Sequence, residues 1–380
     1  MNNEADIIVI GAGIAGASVA AELAATHRVL ILEMESQPGY HTTGRSAAMF
    51  VPSYGPSVIR ALSRASFEFL NKPPPTFQKE SLLSPRQALV IAREDQLDSL
   101  ESLKQEVASR TRIENVTPDQ MADLNPLLKK DYATAGFLDV DAKDIDVSAL
   151  HQGYLRLFRE RSGHVLTNAR IDSISRQGED WSVESGGQKF TAPIIINAAG
   201  AWVDEVNALA DIPQIGLVPK RRTMIAVAAA PSLQLSNLSM TIDVDEKFFI
   251  KPETSQLLIS PADETPSPPC DAQPEELDIA ICIDRIQKAF DIPVTKIENK
   301  WAGLRSFVKD KTPVAGFTSD RNTFFILAGQ GGYGIQTAPA LSQFAAALVL
   351  GNPPPPHISD EGVTATSLSP QRLNTHHTLR

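Results

Sequence analysis

The chain is poor in the residues that most readily announce a function. Cysteine occurs twice in 380 residues, as Cys270 and Cys282. That spacing fits neither a zinc site nor a disulfide framework, so a reducing compartment, the cytoplasm by default, is the expected setting. Positive charge is short: 35 lysines and arginines against 45 acidic residues leave a formal net charge of −10. Phosphate backbones and anionic membrane surfaces both require a basic face, so no nucleic acid and no such surface is an expected partner. No run approaches the ~18–20 uninterrupted apolar residues of a spanning helix, and no integral membrane segment is expected. The apolar stretch 7–25 does not read as a secretory signal: Glu4 and Asp6 stand where basic residues belong, and three glycines break it. Histidine is scarce, with seven residues, and these form neither a metal cluster nor a Ser-His-Asp pattern.

What remains is an ordinary globular composition, 42% hydrophobic and 21% charged. A chain of 380 residues exceeds one core of usual size, so two domains are expected. The order of elements has them threaded through each other. Strands are expected at Ile7–Ile10, Val29–Leu32, Val165–Leu166, Arg170–Ile174 and Ile194–Ile196. Helices are expected after Gly16, at Val147–Arg161 and at Ile335–Leu350. Residues 73–140 are mixed and charge-rich, and 205–300 read as strands and turns around the proline-rich loop Pro261–Pro274. This gives one domain from 1–72, 141–204 and 301–380, and another from 73–140 and 205–300, with no internal repeat.

The first strand runs into Gly11-Ala12-Gly13-Ile14-Ala15-Gly16 and then a helix. The first glycine permits a tight turn, the second lets backbone approach a pyrophosphate, and the third lets helix pack on strand. The helix start presents free N–H groups and a positive dipole end to the phosphates. Glu33 stands 22 positions after Gly11 at the end of the second strand, where a carboxylate accepts from ribose hydroxyls and repels a 2′-phosphate. A dinucleotide other than NADP is the reading, and the motif by itself does not separate FAD from NAD.

Three further stretches extend the pattern: the small and hydroxyl residues Thr42–Ala48, Asn197–Trp202 closing a buried strand, and Gly329-Gln330-Gly331-Gly332-Tyr333-Gly334 before a helix. With Trp301-Ala302-Gly303-Leu304-Arg305, Pro38–His41, Leu83–Arg86, Leu150–Arg156 and Pro219–Arg222, the chain resembles the D-amino-acid oxidase (glycine oxidase) family of flavoenzymes. Within that family it is most similar to the D-arginine dehydrogenase branch, over almost its whole length.

The resemblance implies an α/β fold: a Rossmann-like FAD-binding domain (GR2-type) interleaved with an α+β substrate domain on a mainly antiparallel sheet. It implies FAD, held non-covalently, since neither cysteine coincides with the attachment point of sarcosine oxidase relatives. The implied cofactor contacts are Gly11, Gly13, Ile14, Ala15, Gly16, Glu33 and Met34. Thr42, Thr43, Gly44, Arg45, Ser46, Ala47, Ala48 and Met49 form the loop against the flavin ring. Ile171, Ala199, Gly200, Trp202, Gly303, Gly331, Gly332, Tyr333, Gly334, Ile335 and Gln336 complete the set. The helix from Ile335 is expected to aim its positive end at the flavin edge that becomes negative on reduction.

On the substrate side the resemblance implies that Arg305 and Arg222 pair a carboxylate, that Tyr54 adds a hydroxyl, and that the Gly332 carbonyl accepts from the amine. The activity implied is oxidative deamination of a D-amino acid, which yields an imino acid that hydrolyses to a 2-oxo acid and ammonia. The carboxylate clamp equally admits a secondary amino acid of the sarcosine or proline kind, or a 2-hydroxy acid. A flavin-binding protein without activity is the reading from a different class. The chain departs from the D-arginine branch at its pocket: Ala88 replaces a glutamate, Met49 a histidine, Val51 a threonine and Phe249 a tyrosine, while Glu246 is kept and Gln336 completes the expected pocket set. Four polar positions have become apolar, so an apolar or compact side chain is expected in place of D-arginine or D-lysine. The electron acceptor, oxygen or a respiratory carrier, is not legible.

Overall fold

The strands Ile7–Ile10, Val29–Leu32 and Ile194–Asn197 are apolar at almost every position, as strands covered on both faces must be. In the computed structural model, which describes residues 3–318 and 322–374, they form the centre of a six-stranded sheet. Its order is Val314–Phe317, Phe324–Ala328, Ile194–Asn197, Ile7–Ile10, Val29–Leu32, His164–Leu166. All neighbours are parallel except the Val314–Phe317 edge strand. Side chains alternate between two cores. Ile7, Val9, Ile31 and Phe325 pack with the helices Ile14–Leu23, Val147–Glu160 and Gly334–Val349. Ile8, Ile10, Leu32 and Phe324 face the other way, beneath the three-stranded sheet of 173–192 and the helix Val203–Leu209.

A second, nine-stranded sheet is antiparallel apart from the pair Ala88–Ala92 with Met240–Asp243. Its period-two pattern separates two faces. Ile225, Val227, Ile250, Leu257 and Ile259 bury a core with Ile279, Cys282 and Ile286 of the helix Glu276–Ala289. Met224, Ala226, Phe249 and Leu258 point the opposite way, where Met49, Val51, Ala88 and Met240 join them. The α/β architecture expected from the sequence is therefore the one observed.

Three local expectations are corrected. The strand expected at Arg170–Ile174 is Ser173–Gln177, because Asn168 and Ala169 donate their N–H groups to the carbonyls of Glu35 and Glu33 and leave the sheet there. The 205–300 region is not strands and turns alone, since it contains the 14-residue helix Glu276–Ala289. The strand Ile297–Phe307 is continuous and pairs along Val218–Ala228, so the chain leaves this sheet after Phe307 and not at 301. No helix among the described residues is long and apolar enough to cross a membrane. Residues 1–2, 319–321 and 375–380, including His376 and His377, lie outside the described residues.

Candidate active site

Four loops leave the carboxyl ends of parallel strands and meet along one edge: 11–16, 33–34, 198–202 and 329–334. Ligands of open α/β sheets bind at that edge. Gly11 sits at φ +99°, and a Cβ there would lie 2.6 Å from the Ala198 carbonyl oxygen. At Gly16 a Cβ would lie 1.9 Å from the Gly11 carbonyl oxygen, so the third glycine is what lets the helix close on the turn. The turn is braced from three sides. The Glu33 carboxylate accepts from the Ala12 and Glu35 N–H groups at 2.6 and 2.9 Å. Thr43 Oγ1 accepts from Ile14 N–H at 3.0 Å, and His151 Nε2 lies 2.9 Å from the Ala12 carbonyl. His151 is neutral by environment, because burial pulls its pKa below the usual value. With Nε2 carrying the proton, it donates to Ala12.

Beside this turn lies a long cleft in two chambers. The first is lined by Gly11, Gly13, Glu33, Met34, Thr42, Thr43, Ile171, Ala199, Gly200 and Trp202. The second opens from it across Gly13, Thr42, Thr43 and Gly200, and takes in Ile14, Ala15, Arg45, Ser46, Ala47, Ala48, Met49, Val51, Tyr54, Arg222, Glu246, Phe249, Gly303, Arg305, Gly331, Gly332, Gly334, Ile335 and Gln336. Four anticipated residues line neither chamber. Gly16 and Gly44 serve backbone packing, Gly44 having the Gly39 carbonyl oxygen 2.7 Å from where a Cβ would sit. Tyr333 packs edge-on against Tyr54, with ring centroids 5.0 Å apart. Ala88 is fully buried in the apolar layer behind Met49, Val51 and Phe249, so it backs the wall without facing the chamber.

Strand register explains the polar end of the second chamber. Arg222 pairs with Gly303 and Lys220 with Arg305, which puts Arg222 and Arg305 on one face and diagonally adjacent. Arg305 donates to the Tyr54 hydroxyl at 3.4 Å, and Tyr54 in turn donates to Glu246 at 3.1 Å. Gly332 lies flat on the guanidinium, where a Cβ would come within 2.6 Å of Arg305 Cζ. Arg222 is 5% exposed; its Nε donates to the Asp263 carbonyl at 2.8 Å, and its Nη2 has no hydrogen-bond acceptor. Burial first, then the neighbouring Arg305 charge, lower its hold on its proton. Burial opposes the charge on Arg305 as well, but Tyr54, Tyr333 and Glu246 together outweigh it and the net shift is upward. Burial, then Glu246, raise the Tyr54 hydroxyl, which stays protonated as a donor.

Two buried amides complete the chamber. Gln336, 2% exposed, accepts the Val51 N–H on Oε1 at 3.0 Å and leaves Nε2 without an acceptor. Gln330 Nε2 is likewise unpaired. Buried donors without acceptors are costly, and here three of them (with Arg222 Nη2) line one chamber. The acceptor-rich edge of a flavin and a substrate anion are the groups that satisfy such donors, so these residues fit FAD. The apolar wall also includes Met224, Met240, Ile242 and Phe248. Sequence motifs had not flagged these four, although alternation along 222–228 marks Met224 as belonging to the face of Arg222. His151 was missed for a different reason: it acts through a backbone carbonyl 139 positions away.

A dinucleotide cleft ending in a mainly apolar chamber with a cationic end is the site of a flavin-dependent oxidoreductase. The chain belongs to the FAD-dependent oxidoreductase (DAO) family, whose profile matches residues 6–348, and FAD is its cofactor. It is similar to glycine oxidase of Bacillus licheniformis, 25% identical over 93% of this chain and 95% of that one. It is also similar to glycerol-3-phosphate dehydrogenase 1 of Mycobacterium tuberculosis, 24% identical over 80% of this chain; the match spans 63% of that longer relative. Among solved structures, glycine oxidase from Geobacillus kaustophilus superposes with a TM-score of 0.79 at 20% identity, covering 92% of this chain and 95% of that one.

Proposed function

We propose that the protein oxidises the Cα–H bond of a D-amino acid with an apolar or compact side chain, giving an imino acid that hydrolyses to a 2-oxo acid and ammonia. The observation that carries this reading is the pair of guanidiniums, Arg222 and Arg305, facing one chamber, with Arg222 Nη2 short of an acceptor. A substrate carboxylate supplies that acceptor. FAD, which the residues of the cleft would hold, would supply the hydride acceptor.

The chain's own residues orient and seal. Arg305 and Arg222 fix the carboxylate, Tyr54 steadies Arg305 by accepting from it while its own proton goes to Glu246, and the Gly332 carbonyl receives an amine N–H. Orientation of this kind lowers the barrier without a strong base, because the amine lone pair itself drives the C–H cleavage. Glu246 is the one carboxylate among the described residues lining the chamber. It attracts a substrate ammonium, whose proton passes to solvent before the lone pair can act, and it disfavours a plain 2-hydroxy acid. Met49, Val51, Met224, Met240 and Phe249 form an apolar wall, and a guanidinium or ammonium side chain placed there unpaired would cost about several kcal/mol.

The test is anaerobic bleaching of the FAD-loaded protein by a panel of D- and L-amino acids, N-methyl amino acids and 2-hydroxy acids. D-Valine, D-methionine and D-alanine should bleach, with D-arginine and D-lysine slower by roughly 100-fold, or ~3 kcal/mol. Fastest bleaching by D-arginine would overturn the pocket assignment. Bleaching only by N-methyl amino acids or 2-hydroxy acids would overturn the substrate class.

A further inference from the structure

Arg222 is aimed by a turn outside the chamber's polar set. Strand Gln256–Ser260 ends in Ser260-Pro261-Ala262-Asp263-Glu264, folded back over Arg222 and Thr223 of the neighbouring strand. Ser260 Oγ donates to the Thr223 carbonyl at 2.7 Å and accepts the Ala262 N–H at 3.1 Å. The Asp263 carboxylate takes both donors of Thr223, the N–H at 2.6 Å and the hydroxyl at 3.1 Å. So anchored, the Asp263 carbonyl receives Arg222 Nε–H at 2.8 Å. Ala262 is held at φ +53°, a left-handed conformation that a non-glycine residue keeps only when its surroundings over-determine it.

The carboxylates around Arg222 pair with it by charge without giving its Nη2 a hydrogen bond. Glu264 Oε1 is 3.6 Å from Arg222 Nη2, beyond hydrogen-bond reach, while Glu264 Oε2 is engaged by Lys220 at 2.7 Å and approached by Lys311 at 3.8 Å. Asp263 spends its carboxylate on Thr223, and its oxygen nearest the neighbouring Arg221 is 3.9 Å away. The turn therefore grips Arg222, a residue that lines the chamber, at Nε and leaves its Nη2 without a hydrogen-bond acceptor.

Resting on the carboxylate reading above, we infer that Asp263 is a positioning residue for substrate-anion binding: its side chain locks the 260–264 turn so that the backbone carbonyl aims Arg222 into the chamber. Its role is one of geometry and not of charge. Asparagine presents the same acceptor to the Thr223 N–H and can pair with the hydroxyl through its amide, so it should substitute; alanine should not.

The test uses the FAD-loaded protein with propionate as a simple carboxylate probe, followed through flavin absorbance, and D-valine turnover. Asp263→Ala should weaken propionate binding and raise KM for D-valine by about tenfold or more with kcat within about threefold, the loss of one aligned charge-assisted contact. Asp263→Asn should stay within about threefold of wild type on both. In an Arg222→Ala background, Asp263→Ala should add nothing further, because residues acting through one group are not additive. If Asp263→Ala does not fold, Ser260→Ala loosens the same turn and carries the same expectations. Wild-type affinity in Asp263→Ala would overturn the inference. So would an Asp263→Asn as impaired as the alanine variant, or an undiminished effect without Arg222. A wild type that binds no carboxylate would remove the underlying reading, and the inference with it.

Discussion

At Gly332 the absence of a side chain is a contact in its own right. The Arg305 guanidinium occupies the space a Cβ would need, 2.6 Å from its Cζ and Nη1. Gly332→Ala must therefore push the guanidinium off its axis, and displacements near 1 Å in a positioning group cost up to ~100-fold in rate. We expect that variant to retain FAD while kcat/KM for D-valine falls by roughly 10- to 100-fold, measured by steady-state kinetics alongside the flavin spectrum. Single residues differ in how far the sequence exposes them. Arg305, Arg222 and Gly332 stand in the stretches that carry the resemblance, Tyr54 is named by it from outside them, and the structure gathers all four on one chamber. Asp263 lies outside those stretches, and His151, although inside Leu150–Arg156, was given no role by them. Each works through a backbone carbonyl (its own or that of Ala12), and a hydrogen bond to main chain leaves no residue pattern to recognise.

At the scale of elements, the helix Val147–Glu160 reaches the dinucleotide turn through His151. Burial depresses the pKa of this imidazole, so the folded protein binds fewer protons there than the unfolded chain does. Its contribution to stability is then fully present above the unfolded value of about 6.5 and declines as pH falls below it. His151→Gln keeps a donor for Ala12 and removes the titration. The drop in Tm between pH 7.5 and 5.5 should therefore be smaller in the variant than in wild type, as read by thermal melts of the FAD-loaded protein. An equal drop would show that His151 is not the titrating group. Elements with strong patterns were legible: the opening strands, the glycine turn and the helix Gly334–Val349 fall where periodicity and composition put them. The helix Glu276–Ala289 was passed over although Ile279, Cys282, Ile286 and Ala289 recur at helical spacing, because the proline-rich loop before it drew the segment toward a turn-and-strand reading. The strand expected at Arg170–Ile174 was displaced by tertiary pairing of Asn168 and Ala169 with the carbonyls of Glu35 and Glu33, which no local signal carries.

At the scale of the molecule, two sheets of opposite character meet at the site. The parallel sheet offers its carboxyl edge to a dinucleotide, and the antiparallel sheet turns one apolar face toward the substrate. A chain of net charge −10 still brings two guanidiniums, Arg222 and Arg305, to one chamber through strand register, where the proposed substrate anion would dock. The central claim is that the guanidinium of Arg305 anchors a substrate carboxylate within reach of the flavin. Stopped-flow reduction of the FAD-loaded protein by D-valine, wild type against Arg305→Met, tests it most directly. The account predicts an unchanged flavin spectrum and a second-order reduction rate lowered by at least ~100-fold, about 3 kcal/mol for a buried charge-assisted pair. Reduction by Arg305→Met at the wild-type rate would contradict it.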